Sequence, residues 1–298
     1  MNRLFRSTAL GAISLGFVAC SQGGGDGQAK ASPQAPPARP AAAAPAPPAA
    51  PAPAPAPGAP PLGPAGAQAL ADRINGASYA PPPPSEPKPG ADIAPDPMLI
   101  KAQVLLARAD ASPGVIDGLR GSNFQHAISA FEAMNGIDDS HGVLTQAVWA
   151  KLTAGAPQPV AAIYTVTPQD VAGPYYPDVG ENLVAMSKLP EVGYSRPSEM
   201  LAERFHMSED ALKALNPGAD FGKAGTVIVV AEPGDIAIPR VDHIQVDKAK
   251  AAVRAYNREG KEIAFIPATV GSTDRPSPTG THKVNGVAHN PKYTYDPK

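Results

Sequence analysis

The chain has 298 residues, and its 27 acidic and 25 basic side chains leave a formal net charge of -2. Nothing in that balance favours a polyanionic partner such as nucleic acid. Proline is very frequent, 38 residues and mostly before Met98, so the packed cores belong to roughly the last two thirds of the chain.

The first residues read as a targeting segment. Arg3 and Arg6 precede an apolar run, Leu10 to Val18, that is too short to span a bilayer. The run ends in Phe17-Val18-Ala19-Cys20, followed by Ser21 and a glycine cluster. Cys20 is the only cysteine, so no intrachain disulfide can form. Residues 1–20 resemble a bacterial lipoprotein signal, with Phe17 where leucine is usual; the other reading is an ordinary signal peptide with an incidental cysteine. The resemblance implies lipidation of Cys20 and a membrane anchor. Ser21, rather than Asp, implies sorting to the outer membrane of a Gram-negative cell, facing the periplasm.

Residues 21–95 are a low-complexity Ala/Pro tract, as in Pro51 to Pro61 and Pro81 to Pro84. Such a composition buries no core and reads as a disordered tether, with a polyproline reach on the order of 200 Å. One island interrupts it. In Ala67 to Ala77, Leu70 and Ile74 are spaced for a short helix that docks elsewhere.

Residues 96–156 read as a small bundle of three helices. Met98 to Ala109 carries Ile100, Val104 and Ala107 on one stripe, and Ser112-Pro113-Gly114 and Asp117-Gly118 then turn the chain. Ser122 or Asn123 caps a helix with Phe124, Ala127, Ile128 and Phe131, and Gly136 stops it. Thr145 caps a third helix with Val148, Trp149 and Leu152. The order QVLL, SPGVIDG, AFEAMNG and DDSHGVLTQAVWAKL resembles the PGBD-like peptidoglycan-binding domain. That resemblance places Asp117, Gly118, Arg120 and Phe124 near a ligand groove; for Phe124 the competing reading is a core aromatic.

Residues 160–232 read strand, helix, helix, strand. Ile163 to Thr167 is the first strand, Glu199 to Phe205 a helix, and Ser208 caps the next, with Glu209 and Asp210 in its first turn. Asn216-Pro217-Gly218 ends that helix, and Thr226 to Val230 closes the module. LAERFHMSEDALKALNPGADF with GTVIVV resembles a LysM module, which binds glycan containing N-acetylglucosamine. Asn216, Pro217 and Gly218 are then glycan-loop candidates. The insertion from Ala172 to Ser195 departs from the pattern and leaves two readings open, a glycan reader or a spacer. His206 has no metal-ligating partner at a suitable spacing and reads as a packed or surface histidine.

Residues 239–298 contain three antiparallel strands, His243 to Val246, Ala251 to Tyr256 and Glu262 to Val270, with a turn at Asn257 to Gly260. A stiff loop follows. Pro276 and Pro278 lock φ on either side of Ser277, and Gly280 permits positive φ. Val270-Gly271-Ser272 and Pro276-Ser277-Pro278-Thr279-Gly280 resemble the VGS...PTPTG signature of the L,D-transpeptidase (YkuD-type) domain. The resemblance implies a mostly β fold and makes Pro276, Ser277, Pro278, Thr279 and Gly280 candidates for binding peptidoglycan stem peptides.

The family's nucleophile is a cysteine thiolate in an SHGC-type motif, activated by a histidine. No such motif occurs here, so no catalytic residue is assigned, and His282 and His289 read as surface or groove histidines. No metal or cofactor motif is present either. The expected architecture is multidomain α+β: a disordered tether, a helical bundle, a βααβ module and part of a catalytic domain. In a half domain, Ile244, Val246, Val253, Ile263, Phe265 and Ile266 are expected to lack partners. The functional expectation is a peptidoglycan cross-linking acyltransferase whose catalytic cysteine lies beyond Lys298. The alternative is a non-catalytic peptidoglycan-binding lipoprotein.

Overall fold

The structure is a computed structural model that describes residues 60–82, 94–155, 158–177, 183–189, 193–234, 240–271, 274 and 276–287. Cys20, most of the Ala/Pro tract and His289 lie outside the described residues. The described residues belong to one compact unit, Ala52–Lys298. It is a mixed α and antiparallel β architecture.

The first helix, α1 (Gly63–Asn75), falls on the island expected to form a short docking helix, and begins four residues earlier than the island. Pro64 opens it, and Ala67, Ala71 and Ile74 are buried at i, i+4, i+7 spacing. Leu70, an expected contact residue, is only partly buried. Two alanines on the inner stripe let the helix axis approach its neighbours closely. Asn75 then stitches the helix end to the start of strand β1 (Ala161–Thr165). Its Nδ2 donates to the Ala161 carbonyl at 2.9 Å, and its Oδ1 accepts from the Val160 and Ala161 amides at 2.7 and 3.0 Å.

Helix α2 (Pro97–Arg108) is capped by Asp96, whose carboxylate accepts from the Met98 amide at 2.8 Å. Helices α3 (Ser122–Asn135) and α4 (Gln146–Leu152) complete the expected trio. Thr145 caps α4 as read, but α3 begins after Gly121 without a side-chain cap. Gly136 ends α3 at φ 65°, in the left-handed region that favours glycine.

Strand β1 pairs antiparallel with β2 (Val227–Ala231). Between them lie α5 (Pro168–Ala172), α6 (Leu183–Met186), α7 (Pro197–Arg204) and α8 (Glu209–Leu215). Ile228, Val229, Val230 and Ala231 are all buried. Successive strand residues face opposite ways, so both faces of β2 are covered. Helix α1 packs on both strands, and α8 packs on β2.

The last elements are β3 (His243–Asp247), β4 (Ala252–Tyr256) and β5 (Glu262–Pro267), an antiparallel sheet in the order β3-β4-β5. Strand β5 ends at Pro267, short of the expected Val270. Val246, Val253 and Ile266 share one face in register, and Ile244, Val246 and Ile266 are exposed, as read.

The expectation for Phe265 is corrected. Its side chain is 1% exposed and joins the helical core with Leu106, Phe124 and Phe131. The free edge of β5 is met by the turn after α2: the Phe265 amide donates to the Asp110 carbonyl, and the Ser112 amide donates to the Phe265 carbonyl, both at 2.8 Å. Sheet and helical bundle are therefore one packed body. Phe265→Ala empties a site in that core, and a loss of about 3–5 kcal/mol is expected. Limited proteolysis with mass spectrometry should show new cleavage first within residues 240–271. Equal resistance in variant and wild type would mean that Phe265 does not hold the sheet.

Candidate functional site

The Pro276–Gly280 loop lies on the surface, with only Ser277 half-buried. Its two prolines have no N–H, so the loop offers more acceptors than donors. The missing donors come from elsewhere. The Gly271 amide donates to Ser277 Oγ at 2.8 Å. From the turn between β3 and β4, Lys248 Nζ donates to the Ser277 carbonyl at 2.5 Å and to Thr279 Oγ1 at 2.7 Å. Gly280 takes φ 116°, a conformation side chains rarely adopt. The five candidate residues thus form one shaped, solvent-facing loop. Sequence reading missed Lys248, because a partner 29 positions away leaves no local signal.

The helical candidates are placed differently. Phe124 is 3% exposed and belongs to the core, not to a groove. Asp117 and Gly118 are held by buried Gln103. Gln103 Nε2 donates to Asp117 Oδ1 at 2.7 Å, and Gln103 Oε1 accepts from the Gly118 amide at 2.8 Å. A Cβ on Gly118, at φ 70°, would lie 2.8 Å from Pro95 Cβ. These residues build a turn, and Arg120 beside them is half-buried.

Asn216 is likewise committed. Its amide is 3% exposed, donates to the Leu212 and Val229 carbonyls at 2.8 Å and accepts from the Val229 amide at 2.6 Å. It locks α8 to β2. Pro217 is half-buried, and Gly218, at φ 70°, is exposed beside it. His206 contributes its backbone: its carbonyl accepts from the Ile116 amide at 2.7 Å, while its ring is exposed. His282 is exposed.

A cavity of about 430 Å3 lies where α1, α2 and α4 end. Lys101 and Arg108 line it, but both turn to backbone carbonyls. Lys101 Nζ donates to Asn75 and Ala77, and Arg108 Nη2 donates to Pro159 and Glu232. Cations at helix C-termini stabilise those ends, so this cavity reads as structural. Among the described residues no group of three or more His, Cys, Asp or Glu is placed to hold a metal ion.

The most perturbed carboxylates are also structural. Asp170 is 2% exposed in its side chain. Burial pushes its pKa up, but hydrogen bonds from Tyr164 Oη, the Thr167 amide and Arg204 overrule this and hold it down at about 2. Thr167 and Asp170 form a capping box, and the T-x-x-D spacing is the signal that would have revealed α5 in the sequence. Glu209 is held at about 2 chiefly by a two-bond pair with Arg196, against the upward push of burial.

Residues 241–298 match the family model of the YkuD L,D-transpeptidase catalytic domain. The matched stretch takes in β3, β4, β5 and the Lys248-clamped loop. No curated protein matches the chain. At the family level the match supports L,D-transpeptidase-type cross-linking of peptidoglycan.

The carboxylates set an acid limit on the fold that carries the L,D-transpeptidase-type segment. Both folded pKa values are depressed, so their stabilisation is full above the ordinary carboxylate range. It is lost as pH falls through that range towards 2. Asp170 alone contributes on the order of 2 kcal/mol. Urea unfolding followed by circular dichroism should give falling stability between about pH 5 and pH 2. Asp170→Asn should be less stable at neutral pH and show a shallower decline. An unchanged decline would remove Asp170 from the account.

Proposed function

We propose that the protein acts on peptidoglycan as an L,D-transpeptidase. The observation that carries this reading is the match over residues 241–298, in which the signature loop is exposed and held in one shape. In the reaction a thiolate attacks a carbonyl carbon of one stem peptide. The tetrahedral oxyanion collapses to a thioester and expels the terminal residue as an amine. An amine of a second stem peptide then attacks the thioester and regenerates the thiol. Residues 241–298 hold no cysteine, so none of them is assigned as the nucleophile. Cys20 does not serve, because lipidation makes its sulfur a thioether.

The Pro276–Gly280 loop lies beside the stem peptide in this reading, and the helical and βααβ parts hold the protein to the wall. Muropeptide analysis of cells with and without the gene tests it. Loss of the gene should deplete cross-links of the L,D type. An unchanged profile, with the protein still retained on purified sacculi, would favour the non-catalytic binding reading.

The anchor belongs to the same proposal. The sequence FVAC followed by Ser21 supports lipidation of Cys20 and attachment to the outer membrane. Cys20→Ser should move the protein from the membrane fraction to the soluble periplasmic fraction and abolish labelling by a fatty-acid analogue. Unchanged fractionation would sink the anchor.

A further inference from the structure

We propose that Lys248 is a positioning residue for the stem-peptide site: it holds the Pro276–Gly280 loop in its working shape. This rests on the L,D-transpeptidase reading of that loop. Lys248 is well suited to the task because the turn that carries it is itself fixed. Asp247 Oδ1 accepts from the Ala249 and Lys250 amides, each at 3.1 Å. Ala251 takes φ 46°, and its carbonyl accepts from the Ala268 amide at 2.7 Å. The turn is thereby tied to the chain leaving β5.

The loop, in turn, needs an outside donor. Ser277 precedes a proline, which restricts it to extended backbone, and neither flanking proline can donate. The loop buries no large apolar side chain. Polar contacts must therefore give it a shape. An ammonium group has three donors and no acceptor, which complements a segment rich in acceptors. Two of the three N–H groups go to Ser277 O and Thr279 Oγ1. This fixes the two residues that flank Pro278. Ser277 Oγ is then left to receive the Gly271 amide, so the Lys248 contact and the Gly271 contact support one another.

The Gly271 amide reports this arrangement directly. Hydrogen–deuterium exchange on the full chain should be compared for wild type, Lys248→Met, Lys248→Arg and Ser277→Ala. Met keeps the length of the stem and removes the donors. An exposed charge-assisted hydrogen bond changes an opening equilibrium by a factor of about 5 to 10. Exchange at the Gly271 amide, the loop's hydrogen-bonded N–H, should speed up by about that factor in Lys248→Met. Lys248→Arg retains donors and should lie nearer wild type. Ser277→Ala should accelerate Gly271 most, since it removes that amide's acceptor. Unfolding midpoints of all four proteins should agree, because the contacts are on the surface.

A second readout ties the clamp to function. Cells carrying Lys248→Met should form fewer L,D cross-links than wild type at equal protein abundance, with Lys248→Arg restoring part of the loss. Unchanged exchange in Lys248→Met would overturn the clamp. Faster exchange with wild-type cross-linking would overturn its role in positioning while leaving the proposed function intact. If the gene itself has no effect on cross-links, the function fails, and the positioning role fails with it, even where the exchange data hold.

Discussion

Helix α2 is the element on which the rest of the structure depends, because it is buried on two sides at once. Ile100 and Val104 belong to a core shared with α1, β1, β2, α7 and α8. Met98, Leu99, Ala102 and Leu106 belong to another, shared with α3, α4 and Phe265. An amphipathic helix normally offers one apolar stripe. Here eight of twelve residues are buried, so the helix has little surface left for solvent. Each core alone is small, and small cores are marginal. Joining two through a common helix makes the stability of each conditional on the other.

That sharing explains what could be read from the sequence and what could not. Helices α2, α3, α4, α7 and α8 follow apolar spacing and caps such as Thr145 and Ser208, which are local signals. The strands β1 to β5 follow short apolar runs bounded by turn residues. Long-range partners carry no such mark. The docking of α1 depends on Asn75 meeting Val160 and Ala161, 85 and 86 positions away. Phe265 looked like one apolar residue of an unpartnered sheet, because nothing in its own strand indicates a turn from Asp110 to Ser112 waiting at the edge. Module boundaries drawn from composition and motif therefore separated parts that the fold packs together.

The candidate sites divide by the same logic. Asp117 and Gly118 are candidates through the PGBD-like resemblance, and Asn216 through the LysM resemblance, which place them at a ligand groove and a glycan loop. The structure uses them on the protein itself. Gln103 and Asn216 are buried amides that satisfy backbone groups of a turn and of a strand, where an unmet donor or acceptor would cost about 1–3 kcal/mol. A polar loop residue thus has two uses that look alike in sequence, and only its partners distinguish them. The Pro276–Gly280 loop differs in exposure: Ser277 and Thr279 also accept bonds from the protein, from Lys248 and the Gly271 amide, but they do so on the surface.

The docking of the sheet also decides where the Pro276–Gly280 loop can stand. Gly114, at φ 79°, sits between the start of α3 and the end of β5: a Cβ there would lie 3.4 Å from Asn123 Nδ2 and 3.8 Å from Pro267 Cγ. The chain leaves β5 at that point and runs to the loop, passing Ala268, which is bonded to Ala251 in the turn that bears Lys248. Two constraints, the rung at Phe265 and the lysine clamp, thus bracket the segment between the helical bundle and the loop. A segment fixed at both ends keeps the bundle and the loop in a constant relation, within the slack of the chain that joins them. The direction in which the loop faces is therefore set by the packing at Phe265 and by the bonds from Lys248, not by the loop's own residues.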